Sequence, residues 1–171
     1  MRDADILERI SELGHELPPP PPPVASYVPV VRSGSLAFVA GQVAMVDDHP
    51  IHPGRLGATV SVEMGQEAAA RAALQALSVL RDDLGGSLDR LVRIVQVTVY
   101  VAADAEFVEH PKVANGASEI LIGVLGQEGR HARAAVGVAS LPLGASVEVV
   151  VTAEVAGGDR AASGSMTSGG I

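Results

Sequence analysis

The chain has no cysteine and no tryptophan, and aromatic residues make up only 2% of its 171 positions. Missing thiols exclude disulfides, thiolate nucleophiles and thiolate metal sites. Missing aromatics leave Val, Ala and Leu to fill the core, which favours thin layers and close backbone approach. Cations are also few: 12 Lys and Arg stand against 20 Asp and Glu, a net charge of −8. Nucleic-acid surfaces cluster their cations. Here they are scattered, with nothing denser than the pair Arg90 and Arg93, so no nucleic-acid partner is expected. No apolar run nears a membrane span and the opening residues lack an export-signal core. The expectation is a soluble cytoplasmic protein with no membrane partner.

What is present is enough for one globular domain, since 47% of the residues are hydrophobic. Residues 5–17 read as a short amphipathic helix carrying Ile6, Leu7, Ile10 and Leu13, with Gly14 as its stop. Six prolines, Pro18 to Pro23, then impose an extended polyproline stretch. A stiff strap laying the first helix on the core is preferred to a docking ligand for an aromatic-lined domain. The predicted divisions are a helix and strap over 1–23, a folded domain over 24–156, and a disordered Gly- and Ser-rich tail over 157–171.

Strands are predicted at Tyr27 to Arg32 and Leu36 to Val43, then a loop leading to a third short strand or directly to a helix. Ser61 to Leu84 is the clearest helix: Ser61 suits the N-cap, Gly85-Gly86 the stop, and Leu74, Leu77, Leu80 and Leu84 form a stripe. The alanines between Ala68 and Ala73 allow another element to pack very closely. Leu91 to Val101 is a strand with Val95, Val97, Val99 and Val101 on one face and Gln96, Thr98 and Tyr100 on the other. Pro111 opens a second long helix with a buried stripe of Val113, Ala117, Ile120, Leu121 and Val124, ended by Gly126. The last strands, about Ala132 to Leu141 and Ala145 to Val155, read as a hairpin. The order ββ(β)αβαββ predicts an α+β fold, one mixed β-sheet with two helices on one face. Small or apolar residues assigned to the other face (Ala135, Gly137, Ala139, Val150) argue for an oligomer.

The segment His131-Ala132-Arg133 places one arginine at the mouth of an otherwise uncharged strand, and Glu148 stands alone on an apolar return strand. Desolvating the arginine is costly without a partner, so the chain pairs it internally or a carboxylate ligand does. A hairpin turning at Leu143-Gly144 sets Arg133 opposite Glu154 and Glu148 opposite Ala139. It puts Arg133, Ala135 and Gly137 on the face of Glu148, and aims Val136 and Val138 at the helices. Arg133 then either forms a cross-strand ion pair with Glu154 or is free for a ligand. In that register the Arg133 and Glu148 backbones lie on the order of 20 Å apart, so a site using both needs two chains. Burial on a valine-rich strand should raise the Glu148 pKa. His49 and His52 each precede a proline with no third ligand evident, so no metal is expected. His131 could rim a pocket or be a solvated loop residue. No phosphate loop, dinucleotide fingerprint or nucleophile elbow is present.

Arg133, then Val-x-Val, Leu-Pro and Val-Glu-Val resembles the C-terminal signature of the Rid/YjgF family of reactive-imine deaminases, many of whose members are also called L-PSP endoribonucleases. Tyr27-Val28, Phe-Val-Ala-Gly-Gln-Val over Phe38 to Val43 and Val-Ala-Asn-Gly-Ala-Ser over Val113 to Ser118 agree, in the right order between about Val24 and Val155. The proline strap and the Asn-Gly-Ala-Ser string point to a longer branch. The resemblance implies the chorismate-mutase-like sandwich, a homotrimer around a central barrel, and hydrolysis of imines and enamines to keto compounds and ammonia without a cofactor. It implies that Arg133 binds the substrate carboxylate and Glu148 positions the attacking water. It adds Tyr27, the Gly41 N–H and Asn115 to the pocket. Ala40 stands where the family's deaminases commonly carry serine, which puts the smallest family substrate, 2-aminoacrylate, in doubt. A non-catalytic trimer that binds small carboxylates, and an endoribonuclease, are the other functions considered.

Overall fold

The computed structural model describes residues 2–21 and 27–157. In chain order they form α1 (Asp3–Glu12), β1 (Val30–Ser33), β2 (Leu36–Val43), the small pair β3 (Met45–Val46) and β4 (His49–Pro50), α2 (Val62–Asp83), β5 (Leu91–Ala102), α3 (His110–Leu125), β6 (Ala132–Val138) and β7 (Val147–Val155). The main sheet has five strands in the order β1-β2-β7-β5-β6, and β3-β4 is a separate ribbon. All pairings in the main sheet are antiparallel except β5 with β6. The expected α+β fold, one mixed sheet with helices on one face, is the fold observed.

Local chemistry explains the helices. The Ser61 hydroxyl accepts from the Met64 N–H at 3.2 Å and starts α2, satisfying one of its orphan donors. Gly85 and Gly86 follow with φ of +89° each, a conformation that glycine adopts without steric cost. The predicted stripes of α2 and α3 are buried. The two helices meet almost backbone to backbone, because a Cβ on Gly116 would stand 2.1 Å from the Gln66 carbonyl oxygen. Small residues thus replace aromatics as the means of filling the core.

Several expectations are corrected. Helix α1 ends at Glu12, with Gly14 at φ +79° just beyond it, and it buries Ile6 and Ile10 but leaves Leu13 47% exposed. The first strand starts at Val30 rather than Tyr27. Val95 leaves the buried row because a bulge falls between Ile94 and Gln96, so Ile94 faces the helices in its place. Pro18 is buried and the Pro19 carbonyl accepts from Gln75 Nε2 at 2.7 Å, tying that part of the strap to α2. Pro22, Pro23 and the tail from residue 158 lie outside the described residues.

The final hairpin does not exist. β7 lies between β2 and β5, while β6 is on the far side of β5 at the sheet edge. β6 pairs parallel to β5, with Val97 opposite Arg133 and Val101 opposite Gly137. A parallel pair needs a crossover of a dozen or more residues, and α3 supplies it. Glu154 pairs with Leu36 and Arg93, two strands from β6, so no Arg133–Glu154 ion pair forms. The faces are reversed as well. Arg133, Ala135 and Gly137 point to α3, whereas Val136 points away and is 43% exposed; Ala139 lies beyond the strand.

On the helix side, Val97, Val99 and Val101 of β5 and Val147, Val149 and Val151 of β7 are buried. The opposite face carries Gln96, Thr98, Tyr100, Glu148, Val150, Thr152 and Glu154, and exposes Val31 and Phe38. None of the described helices covers it.

Candidate active site

The sequence singles out six positions; the fold gathers five of them into two groups and leaves the sixth, Tyr27, exposed ahead of β1. The first is the seam between α3 and the edge strand β6. Arg133 Nη1 donates to Asn115 Oδ1 at 2.9 Å and to Ser118 Oγ at 3.1 Å, and Nη2 donates to the Pro111 carbonyl at 3.4 Å. Pro111, Asn115 and Ser118 lie at i, i+4 and i+7 on one helical stripe. All three partners are neutral, and no carboxylate pairs with Arg133 among the described residues. The guanidinium is therefore oriented without being neutralised. Nε has no acceptor among the described residues and Nη2 makes one long contact; these two nitrogens form the side of the planar fork that a carboxylate takes side-on.

Beside this arginine is an open cavity of about 200 Å³ lined by Ser118, Ile122, Arg130, His131 and Arg133. His131 Nδ1 is 2.6 Å from the Gly129 carbonyl and Nε2 is 3.0 Å from Ser118 Oγ. Burial, and then the charge of Arg133, hold the imidazole below its ordinary pKa against the opposing hydrogen bond to Gly129. His131 is thus bonded into the seam rather than solvated. Sequence reasoning missed Ser118 and the Pro111 carbonyl; their helical spacing from Asn115 was the available signal.

The second group is on the open face of the sheet. Glu148 is half-buried between Val43 of β2 and Tyr100 of β5. Desolvation raises its pKa, as expected for a carboxylate on a valine-rich strand. Ala40 and Gly41 form a bulge in β2 between Val39 and Gln42. A Cβ on Gly41 would sit 1.8 Å from Glu148 Oε1, so this position holds glycine because the carboxylate occupies its side-chain space. The Ala40 N–H donates to the Pro29 carbonyl at 2.9 Å. Two residues before Pro29, Tyr27 is 54% exposed.

The groups do not meet within one chain. Arg133 and Glu148 are on opposite faces of the sheet, two strands and three register positions apart, a backbone separation of about 14 Å from strand spacings. Elsewhere, His52 Nε2 is 2.7 Å from Glu67 Oε2 and His49 Nδ1 is 2.7 Å from the Asp47 carbonyl, so the two loop histidines have separate partners. No helix among the described residues is long and apolar enough to cross a membrane.

A mixed sheet backed by two helices, an edge arginine held by a helix and a bulge packed under a glutamate together define the class. The chain belongs to the family described as "YjgF/chorismate mutase-like, putative endoribonuclease", whose profile matches residues 8–155. It is 43% identical over 151 residues to Protein TCP17 of Trypanosoma cruzi, covering 88% of this chain and 94% of that one. Among solved structures, protein Atu1372 of Agrobacterium tumefaciens is 41% identical with a TM-score of 0.85, over 90% of this chain and 94% of that one. A "putative endoribonuclease" of Shewanella oneidensis MR-1 is 29% identical with a TM-score of 0.83, over 88% and 99%.

Proposed function

We propose that the protein is a cytoplasmic hydrolase that converts carboxylate-bearing imines and enamines to keto compounds and ammonia, at the boundaries between subunits of a homotrimer. The observation that carries this reading is the set of partners of Arg133: every described one is neutral, and its Nε has no acceptor among the described residues.

A protonated imine is already an electrophile, so the protein has to hold its acid end, place a water and move a proton. Arg133 binds the carboxylate and Asn115 keeps the fork in place. Glu148 takes a proton from the attacking water as its oxygen bonds to the imine carbon. That proton passes to the nitrogen of the carbinolamine. The hydroxyl then returns its proton to the Glu148 carboxylate as the C=O forms and the C–N bond breaks, releasing the keto compound and ammonia, and Glu148 gives this last proton to solvent. A raised Glu148 pKa suits both halves of this shuttle. No cofactor takes part in the scheme. Tyr27 and the Gly41 N–H complete the pocket wall. Ala40 supplies no hydroxyl, a loss worth about 0.5–1.5 kcal/mol in a neutral hydrogen bond, which favours a bulkier imine than 2-aminoacrylate.

The opposed faces support a site at the subunit boundary. One subunit offers Arg133 at an exposed edge, and a neighbour offers Glu148 on an uncovered face bearing Val31, Phe38 and Val136. That apolar surface suits burial against a second copy.

The test couples an amino-acid oxidase to semicarbazide trapping of its imine products over a panel of amino acids. The wild type should lower the trapped imine and Arg133→Ala should not. Arg133→Ala and Glu148→Gln, refolded together, should recover about a quarter of wild-type turnover by random assortment into shared sites. No loss of trapped imine for any amino acid, with Arg133-dependent stabilisation by carboxylates retained, would leave a binding protein in place of an enzyme. Salt-sensitive RNA binding would instead favour the nuclease reading.

A further inference from the structure

We infer that Ser118 and His131 are positioning residues that set the Arg133 fork for its carboxylate, with His131 held as the neutral tautomer protonated on Nδ1. This rests on the reading of Arg133 as the carboxylate anchor.

The Gly129 carbonyl requires a proton on His131 Nδ1, which leaves two assignments: a neutral ring whose Nε2 accepts from Ser118, and an imidazolium whose Nε2 donates to it. Arg133 can only donate, so Ser118 Oγ accepts from Nη1 at 3.1 Å. The Ser118 hydrogen is then free, and its described acceptor is His131 Nε2 at 3.0 Å. For Nε2 to accept, the ring proton must be on Nδ1, where it donates to the Gly129 carbonyl at 2.6 Å. With the neutral ring, the direction of donation runs Arg133, Ser118, His131, Gly129.

The end of this relay is anchored. Gly129 is buried, and a Cβ there would stand 2.2 Å from the Leu121 carbonyl, so its backbone is pressed directly on α3. An imidazolium would reverse the bond to Ser118 and add a cation to a cavity that Arg130 and Arg133 already line. Those charges, and partial burial, favour the neutral ring.

The functional gain is pre-organisation. An exposed arginine on an edge strand has a long side chain with many rotamers, and ordering it on binding weakens affinity. Asn115 and Ser118 both engage Nη1, which fixes the rotation of the fork and leaves Nε without an acceptor among the described residues. A network that only filled the seam would not change carboxylate affinity.

The experiment uses the full chain with pyruvate as the probe carboxylate. The ¹⁵N shifts of His131 should show a neutral ring bearing its proton on Nδ1 at pH 7. An Nε2–H tautomer or an imidazolium overturns the inference. Ser118→Ala should raise the pyruvate Kd about tenfold, equivalent to about 1.4 kcal/mol, with little change in unliganded Tm. In turnover the loss should fall on KM and leave kcat nearly intact. His131→Gln, whose amide oxygen can still accept from Ser118, should keep Kd within about threefold of wild type, while His131→Leu should match Ser118→Ala. Wild-type pyruvate affinity in Ser118→Ala overturns the positioning role while leaving the carboxylate site intact. If the wild type fails to bind pyruvate, the carboxylate reading falls and this inference with it. If pyruvate binding and its Ser118 dependence survive without imine turnover, only the deaminase chemistry falls.

Discussion

Along β7 the two sides of one strand follow different rules. Val147, Val149, Val151, Ala153 and Val155 are buried under the helices, while Glu148, Val150, Thr152 and Glu154 between them are half-buried on the open face. Two glycines sharpen the contrast. Gly116 is required because a Cβ would strike the backbone of a neighbouring helix, and Gly41 because a Cβ would strike the movable end of Glu148. On the helix side, glycine lets main chain meet main chain and determines stability. On the open side, it makes room for a functional group.

Four substitutions can break or sharpen this contrast. The largest effect on folding should come from Gly116→Ala: overpacking against the Gln66 carbonyl should cost about 3 kcal/mol in urea unfolding, and an unchanged midpoint would show that α2 and α3 separate freely. Next, Gly41→Ala should reduce imine turnover about a hundredfold by displacing the Glu148 carboxylate, with stability changed by less than about 1 kcal/mol, because a side-chain tip can move where a backbone cannot. A parallel drop in Tm would place Gly41 with the structural glycines.

A smaller effect concerns pH. The Glu148 pKa is raised in the folded chain by desolvation. Its contribution to stability is therefore full below the ordinary carboxylate range and lost as pH rises through the raised value. Glu148→Gln should match wild type in acid and exceed it in Tm toward neutral and higher pH; a constant difference at all pH values would contradict burial as the cause. Least of all, Ser146→Ala should be neutral or stabilising by up to about 1 kcal/mol. Ser146 is 1% exposed, and its buried hydroxyl has no hydrogen-bond partner among the described residues.

How far the sequence could be read depends on how local each feature is. Ser61, Gly85 and Gly86 mark the ends of α2 because caps are decided within a few residues. Strand partners are not local. Leu-Pro-x-Gly between two apolar strands reads as a hairpin turn, yet β7 takes β2 and β5 as neighbours and leaves β6 at the edge. A strand, a helix and a strand in succession, β5-α3-β6, was the signal for a parallel pair. Missing it reversed the face of Arg133, because register fixes which side every second residue occupies. Arg133 and Glu148 were still legible as individual residues, since a lone charge among apolar neighbours stands out without knowledge of partners, whereas Gly41 and Asn115 were legible only through the family resemblance. That Asn115 and Arg133 touch, and that Glu148 covers Gly41, depends on the tertiary fold.

The scarcity of aromatics has a practical consequence. With no tryptophan and two tyrosines in the chain, its ultraviolet emission comes from Tyr27, exposed ahead of β1, and from Tyr100, the cross-strand neighbour of Glu148. The helix-covered core is dark. Tyrosine fluorescence is therefore a built-in, label-free reporter of the open face: ionisation of Glu148, docking of a neighbour and entry of a ligand should each alter the emission of a ring beside them. Loosening of the helix layer alone should pass unseen.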